Sequence, residues 1–346
     1  MSNTSLKEIM KELFAGNDLN QDSCRVLFSS MLDGELTDIE ISAVLMALKV
    51  KGETGVEIAS LVTLLRERAE PINAPEGLTA DCAGTGGDGL GTFNVSTAAA
   101  ITASACGLTM VKHGNRASSS PSGSADIIEL SGWDLGMSAE QIVSVLEKNG
   151  FAFLFAPAFH PLVGRVMPVR KTLATSTIFN LAGPLANPLA PQVQLMGVCD
   201  ESLLAPMAEV LQLIGCKKGL VVYGAGLDEV AIHDATKAIY VTPDEIKPLD
   251  ISIEDFGISS HDLSTIQLLA QDPKAVFDDV INGTADTAKI DMVAINTGTL
   301  IWLSGLADSL EQGASMARDA LKSGRVAEKL NSIINDVKTI VAVKDE

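Results

Sequence analysis

The run Gly84-Thr85-Gly86-Gly87-Asp88-Gly89 puts four glycines into six residues. It follows a short strand-like segment, 78–83, and precedes an alanine-rich helical stretch, 96–106. Glycines at such a junction let backbone N–H groups approach an anion closely. Asn94, Ser96 and Thr97 add polar side chains where the next helix presents its positive end. The junction therefore predicts a strand, a ligand-cradling turn and a helix in succession. A tight strand-to-helix turn with an ordinary Ser/Thr cap fits these residues equally well.

The rest of the chain repeats the alternation. Segments 109–112, 151–156, 193–198, 219–223 and 290–295 read as strands. Segments 138–150, 167–182 and 203–214 read as helices, and helices fill the C-terminal end. Strands alternating with helices predict an α/β fold with a mostly parallel sheet flanked by helices. Residues 1–70 read as helices only. Thr37 with Glu40 and Thr54 with Glu57 have capping-box spacing, and Ile58, Leu61, Val62 and Leu65 recur at helical intervals. Pro71 and Pro75 flank a linker. With 346 residues available, we expect a small all-helical N-terminal domain over 1–73 and an α/β domain over 74–346.

The glycine run matches G-x-G-x-x-G, but no Asp or Glu lies between Asp88 and Asp126. A dinucleotide site wants an acid about 20 residues on to hold the ribose. A Walker loop is excluded because no G-K-[ST] follows. A second loop decides the chemistry. Lys112-His113-Gly114-Asn115-Arg116 leads into Ser118, Ser119, Ser120, Ser122 and Ser124. Two cations, an amide and a serine cluster suit a phosphate-rich ligand. Both loops would meet at the carboxyl edge of one sheet, where α/β folds bind ligands.

Charge narrows the partners. Lys and Arg number 25 against 44 Asp and Glu, for a net charge of -19. That balance disfavours a broad nucleic-acid surface or an anionic membrane, yet leaves room for a local basic pocket. The five cysteines are scattered and form no C-x-x-C pair. This predicts neither a disulfide framework nor a zinc site, and fits a reducing cytoplasm. The N-terminus lacks signal-peptide character, and the uncharged stretches 90–111 and 172–199 are too polar or too broken by proline to span a membrane.

GTGGDG with FNVST, KHGNR with SGSAD, MPVRKTL with TIFNLAGPLANP, and GLDEVAIH occur in that order between about residues 81 and 233. Together they resemble the anthranilate phosphoribosyltransferases, and the helical N-terminus and total length agree. The resemblance implies the nucleoside-phosphorylase-like phosphoribosyltransferase fold and a helical excursion near 168–183 that joins the small domain. It implies a homodimer through the helical domain, with the acceptor bound between domains. It implies that 5-phosphoribosyl-1-diphosphate (PRPP) is held by Gly84, Gly86, Gly87, Asp88, Thr92, Asn94, Val95, Ser96 and Thr97. Lys112, His113, Gly114, Asn115, Arg116, Ala117, Ser118, Ser119, Ser120 and Ser124 would complete that cradle. Anthranilate would meet Gly84, Asn115, His160 and Arg170. Two magnesium ions per subunit would use Asp228 and Glu229, with Ser96 at the other metal position. Leu90-Gly91 and Pro121 depart from the family pattern and bear on loop stiffness.

The implied reaction attacks C1 of PRPP with the anthranilate amine and expels pyrophosphate. An aromatic amine is already nucleophilic, so no protein nucleophile is assigned. His113 either relays a proton or only binds and packs. Asp228-Glu229, read alone, is a solvated acidic turn, as one of many acids in the chain, and only the motif context reverses that. The bland alternative for Arg170 is a surface ion pair on the helix that also carries Lys171. His233 and His261 lack ligand-like spacing, Trp133 and Trp302 read as packing residues, and Cys82 and Cys106 as inert thiols. Two rival readings are a pyrimidine nucleoside phosphorylase, whose base-recognition pattern is missing, and a nucleic-acid-binding relative. The latter wants a basic surface and degraded metal or acceptor motifs, whereas this chain keeps Asp228, Glu229 and Arg170.

Overall fold

A computed structural model describes residues 5–117 and 121–342. Four helices open the chain: Leu6–Phe14, Gln21–Asp33, Asp38–Lys51 and Gly55–Glu67. Their starts follow from local chemistry. Ser5, Thr37 and Thr54 each accept from the backbone N–H three residues on, where Glu8, Glu40 and Glu57 reach back to the cap N–H. Left-handed Gly34 ends the second helix.

The strands are β1 (Thr79–Gly84), β2 (Thr109–Gly114), β3 (Phe151–Phe155), β4 (Val193–Gly197), β5 (Lys218–Tyr223), β6 (Thr236–Val241) and β7 (Ile246–Ile251). They form one sheet in the order β3-β2-β1-β4-β5-β6-β7. The first five strands pair in parallel, so the expected mostly parallel sheet is present. The antiparallel pair β6–β7 was not foreseen. Its second strand, IKPLDI, carries Lys247 and Pro248, residues tolerated on an exposed edge and poor strand signals in sequence.

After β1 the chain moves outward to β2 and β3. It then returns to place β4 on the other side of β1. The β1/β4 boundary is thus the point where strand order reverses, and a crevice opens beyond the carboxyl ends there. Gly84 pairs with Gly197 at that end. One apolar cluster fills the sheet around β1–β3 and the C-terminal helices. Another joins the N-terminal helices to residues 166–186, the helix Leu204–Leu213 and the facing side of β4 and β5.

Two expectations need correction. Segment 290–295 is not a strand; it lies within the helix Thr287–Ser304. Residues 290–295 are all buried, Asp291 included, because neighbours enclose the helix all round, so periodicity carries no helical signature there. Segment 167–182 is two helices, Met167–Leu173 and Ile178–Ala182. Ala174 takes a left-handed φ of 49° and ends the first. Asn180 Oδ1 accepts from the Thr177 N–H at 3.0 Å and starts the second. Lys49 Nζ reaches across from the N-terminal helices to Thr175 Oγ1 at 2.6 Å and to the Ser176 carbonyl at 3.0 Å.

The buried helix is locked by glycine. A Cβ on Gly298 would overlap the backbone of Ala314 in the helix Leu310–Lys322, and one on Gly313 would overlap the Gly298 carbonyl. We therefore predict that Gly298→Val lowers the unfolding free energy by about 3 kcal/mol. Urea denaturation measures this, and a loss near zero would contradict so close a helix approach.

Candidate active site

The glycine run works as a seat for an acid from another part of the chain. A Cβ on Gly84 would overlap the Asp228 carboxylate, and one on Gly197 would overlap the Asp228 backbone. The Gly86 N–H donates to Asp228 Oδ2 at 2.7 Å. Gly86, Gly87, Gly89 and Gly91 all have left-handed φ, which an L side chain resists. Asp88 accepts from the Leu90 N–H at 3.2 Å. Thr92 bridges to Gln267, and Gln267 Nε2 donates to the Leu90 carbonyl at 3.0 Å, so a C-terminal loop fixes the far end of the run.

Among the described residues no cation forms a salt bridge with Asp88, Asp228 or Glu229. Burial is the main force pushing Asp228 up, to about 6. Nearby Asp88 adds to it and the Gly86 N–H opposes it. Glu229 is driven well above the ordinary carboxylate range, first by burial and then by Asp228; Lys112 and the Ser96 backbone hold it down. The Lys112 side chain is almost wholly buried. Its ammonium donates to the Cys82 carbonyl at 2.8 Å and to Ser96 Oγ at 3.3 Å. Among the described residues no carboxylate pairs with it directly. Ser96 thus touches the buried cation through its hydroxyl and Glu229 through its backbone.

The helix Val95–Ala105 starts at Asn94, yet Asn94 makes no side-chain cap. Its amide instead donates to the Ser122 carbonyl at 3.1 Å and ties the two loops together. Thr97 Oγ1 is buried with no hydrogen-bond partner. The Ser96 backbone N–H meets the Glu229 carboxylate and the Val95 N–H bonds the Phe93 carbonyl, so an acid of the chain already sits at this helix start, while the Thr97 hydroxyl is left unused.

The second loop is only partly as expected. Arg116 is engaged by acids. Its Nη1 donates to Asp126 at 3.0 Å and to Glu129 at 2.7 Å, and its charge also sits over the Phe155 ring. Asp126 accepts from the Ala117 and Gly123 N–H groups, both at 2.9 Å. It organises the turn, a part that reading the loop for cations overlooked. Gly114 is required because Ser124 Oγ occupies the space of a Cβ, and Ser124 Oγ donates to the Asn115 carbonyl at 3.4 Å. The Asn115 side chain accepts from the Arg116 N–H at 2.8 Å. Ser118, Ser119 and Ser120 lie outside the described residues.

His113 and His160 meet edge to face, with ring centroids 5.3 Å apart. His113 Nε2 is buried without a hydrogen-bond partner, whereas the His160 ring faces the backbone of Leu65 and Ala186. Burial, then the neighbouring His160, drives His113 down to about 3, so its imidazole is neutral near pH 7. Burial lowers His160 as well. Arg170 is no surface ion-pair residue. Its guanidinium lies over the Phe179 ring at 5.3 Å, Nη2 donates to Asn180 Oδ1 at 3.1 Å, and Nε is buried unpartnered. Burial lowers its pKa. Among the described residues no carboxylate pairs with it, so its planar donors are free to take one.

The remaining residues singled out in the sequence fall as follows. His261 pairs with Asp291 at 2.9 Å, and His233 Nδ1 is buried without a partner. Trp133 packs edge-on against Phe151 and Phe153, and Trp302 lies beside Tyr240. Burial pushes Cys82 up to about 12 and Cys106 up to about 11, so both are poor nucleophiles. Among the described residues no group of three His, Cys, Asp or Glu side chains is arranged for a metal. Two carboxylates with a hydroxyl are a different donor set.

Asp81 was missed as a member of this region. Fully buried in β1, it accepts from the Cys82 N–H at 2.8 Å, the His113 N–H at 3.3 Å and Asn187 Nδ2 at 2.8 Å. Asn187 also donates to the Val111 carbonyl at 2.6 Å. The network binds β1, β2 and the returning 183–190 segment into one rigid floor. An acid inside an otherwise apolar strand was the available signal. Asp81→Asn would turn an amide N–H₂ toward donors on at least one side. We predict a loss of about 3 kcal/mol in unfolding free energy; a melting curve that overlays the parent's would contradict this.

The chain matches the family model described as "Glycosyl transferase family, helical bundle domain" over residues 7–69 and "Glycosyl transferase family, a/b domain" over residues 76–327. It is 41% identical over 337 residues to the anthranilate phosphoribosyltransferase of Pseudoalteromonas translucida, covering 96% of this chain and 94% of that protein. The crystal structure of anthranilate phosphoribosyltransferase from Thermus thermophilus superposes with a TM-score of 0.89 at 34% identity, covering 95% of this chain and 99% of that one. The anthranilate phosphoribosyltransferase of Saccharomyces cerevisiae in complex with PRPP and Mg superposes with a TM-score of 0.86 at 28% identity, covering 98% and 99% of the two chains. The yeast protein in complex with 4-fluoroanthranilate gives 0.85 at 27%, covering 96% and 98%.

Proposed function

The chain belongs to the anthranilate phosphoribosyltransferases within this glycosyl transferase family, and on that premise we propose how its residues serve the reaction. It transfers the phosphoribosyl group of PRPP to the amine of anthranilate and releases pyrophosphate. In the course of transfer the bond from C1 to the pyrophosphate oxygen breaks and a C1–N bond forms. The amine loses a proton. The observation that carries this reading is Asp228 seated on the glycine ends of β1 and β4, with Glu229 next to it against the Ser96 backbone at the start of the helix Val95–Ala105.

The glycine run 84–91 and the start of the helix Val95–Ala105 would take the phosphate groups of PRPP, through backbone N–H groups and the unused Thr97 hydroxyl. Lys112 supplies a fixed positive charge from beneath through Ser96. Asn115, Gly114, Ala117 and the serines of the second loop would close over the same ligand. Arg116 would hold that loop in shape through Asp126 and Glu129.

Magnesium fits the donors present. Asp228 and Glu229 are adjacent buried acids that no cation among the described residues pairs with directly, and Mg²⁺ characteristically takes one or two carboxylates plus substrate phosphates. Asp228, Glu229 and the Ser96 hydroxyl would hold it, with two ions per subunit. When bound, it supplies charge neutralisation to the leaving pyrophosphate. The chain's own groups orient the ribose and keep water away, as expected where a reaction centre passes through an oxocarbenium-like state.

Arg170 would grip the anthranilate carboxylate, with Gly84, Asn115 and His160 beside the acceptor. The environment of His113 supports a binding and packing role over a proton relay, because an imidazole held near 3 is a weak proton acceptor. We further propose the division at residues 73 and 74, with 168–183 serving the helical part. Exposed Phe14, Ile39 and Val50 on the N-terminal helices support a homodimer formed there. No helix of the described residues is long and apolar enough to cross a membrane. The free cysteines support a cytoplasmic setting.

The direct test is loss of anthranilate fluorescence on mixing protein, PRPP and magnesium. Loss that needs all three, with pyrophosphate released, is expected; no loss with folded protein would overturn the reading. Arg170→Ala should raise the KM for anthranilate at least about tenfold while moving the KM for PRPP less than twofold. An unchanged anthranilate KM removes Arg170 from the acceptor site. Replacing Asp228 and Glu229 by Asn and Gln should shift the magnesium titration of activity to higher concentration by about tenfold or more. Superimposable titrations would take the metal away from this pair.

A further inference from the structure

The Asp228-Glu229 turn lies in a segment, 224–235, that joins β5 to β6 without regular structure of its own. A bridge between Gly224 and Leu227 closes its first half. Its second half is gripped by the buried helix Thr287–Ser304. Asn296 Oδ1 accepts from the Val230 N–H at 2.9 Å, and Asn296 Nδ2 donates to the Val230 carbonyl at 3.2 Å. One carboxamide thus satisfies both backbone groups of the residue that follows Glu229, as a neighbouring strand would. Asn296 is fully buried, and Nδ2 also reaches the Met292 carbonyl of its own helix at 3.0 Å.

The grip continues along the segment. The Ala231 N–H donates to Thr236 Oγ1 at 2.8 Å. The Ile232 carbonyl accepts from the His261 N–H at 3.0 Å, and the His261 ring bonds to Asp291 of the same buried helix, which Arg318 holds in turn. Thr297, next to Asn296, donates from Oγ1 to the Ala99 carbonyl in the helix that carries Ser96, at 3.4 Å. Glycine contacts keep the buried helix from shifting. A single rigid element therefore holds both the acid turn and the serine helix.

We propose that Asn296 is a positioning residue for the Asp228-Glu229 pair. It holds the backbone at Val230 so that Glu229 stays beside Ser96, and thereby sets how much magnesium strengthens PRPP binding. This rests on the reading that Asp228 and Glu229 hold magnesium. Partners one bond removed from a metal's ligands commonly govern affinity by 10–100-fold.

The test is calorimetric titration of the full chain with PRPP, once in magnesium chloride and once in EDTA, with no turnover involved. For the parent, the ratio of the two dissociation constants should be large. In Asn296→Leu that ratio should fall about tenfold, while the KM for anthranilate stays within about twofold and excess magnesium restores kcat. Thr236→Val removes the Ala231 bond at nearly constant volume and should lower the same ratio by about threefold; it carries the test if Asn296→Leu does not fold. A folded variant with the parent's ratio, or an anthranilate KM that rises in step, overturns the positioning role. A parent that binds PRPP equally in magnesium and EDTA overturns the metal reading itself, and this proposal with it.

Discussion

Asp228 sits over the carboxyl ends of β1 and β4 only because both strands finish in glycine. Any side chain at Gly197 would meet the Asp228 backbone, and any at Gly84 would meet its carboxylate. This close approach brings a turn from beyond β5 to the point where strand order reverses. In the proposed reading, a cation held by Asp228 and Glu229 would turn this acidic seat into one that attracts a phosphate.

The charges below and above this seat are arranged differently. Beneath it, Asp81 spends its acceptor capacity on Cys82, His113 and Asn187, and burial still raises it to about 6. Lys112 is equally buried, yet bonds a carbonyl and a hydroxyl. Above it, Asp228 and Glu229 repel one another with little to offset burial. Buried like charges cost stability in the free protein. In the proposed reading, binding a cation and a polyanion together would relieve that cost and couple the two binding events.

Much of this was legible in the sequence. The glycine run, the capping pairs Thr37/Glu40 and Thr54/Glu57, and the parallel strands followed from spacing and turn chemistry. Two kinds of feature were hidden. The helix Thr287–Ser304 was read in part as a strand because enclosure on all sides erases its periodicity; with it went Asn296, whose role depends on a contact 66 residues away in sequence. The occupation of Arg116 by Asp126 and Glu129 was hidden too, since a loop read for cations does not disclose which acids fold back onto them. Arg170 and the His113–His160 pair stood out by motif, but their burial and their contacts, Arg170 with Asn180 and Phe179 and the two imidazoles with each other, come from tertiary packing.

The measurement that bears most directly on this account is a crystal structure of the chain with PRPP and magnesium. The account predicts pyrophosphate against residues 84–97, with metal between it and the carboxylates of Asp228 and Glu229 and Asp228 still seated on Gly84 and Gly197. Pyrophosphate bound elsewhere, or bound with both carboxylates turned away from the metal, would contradict it.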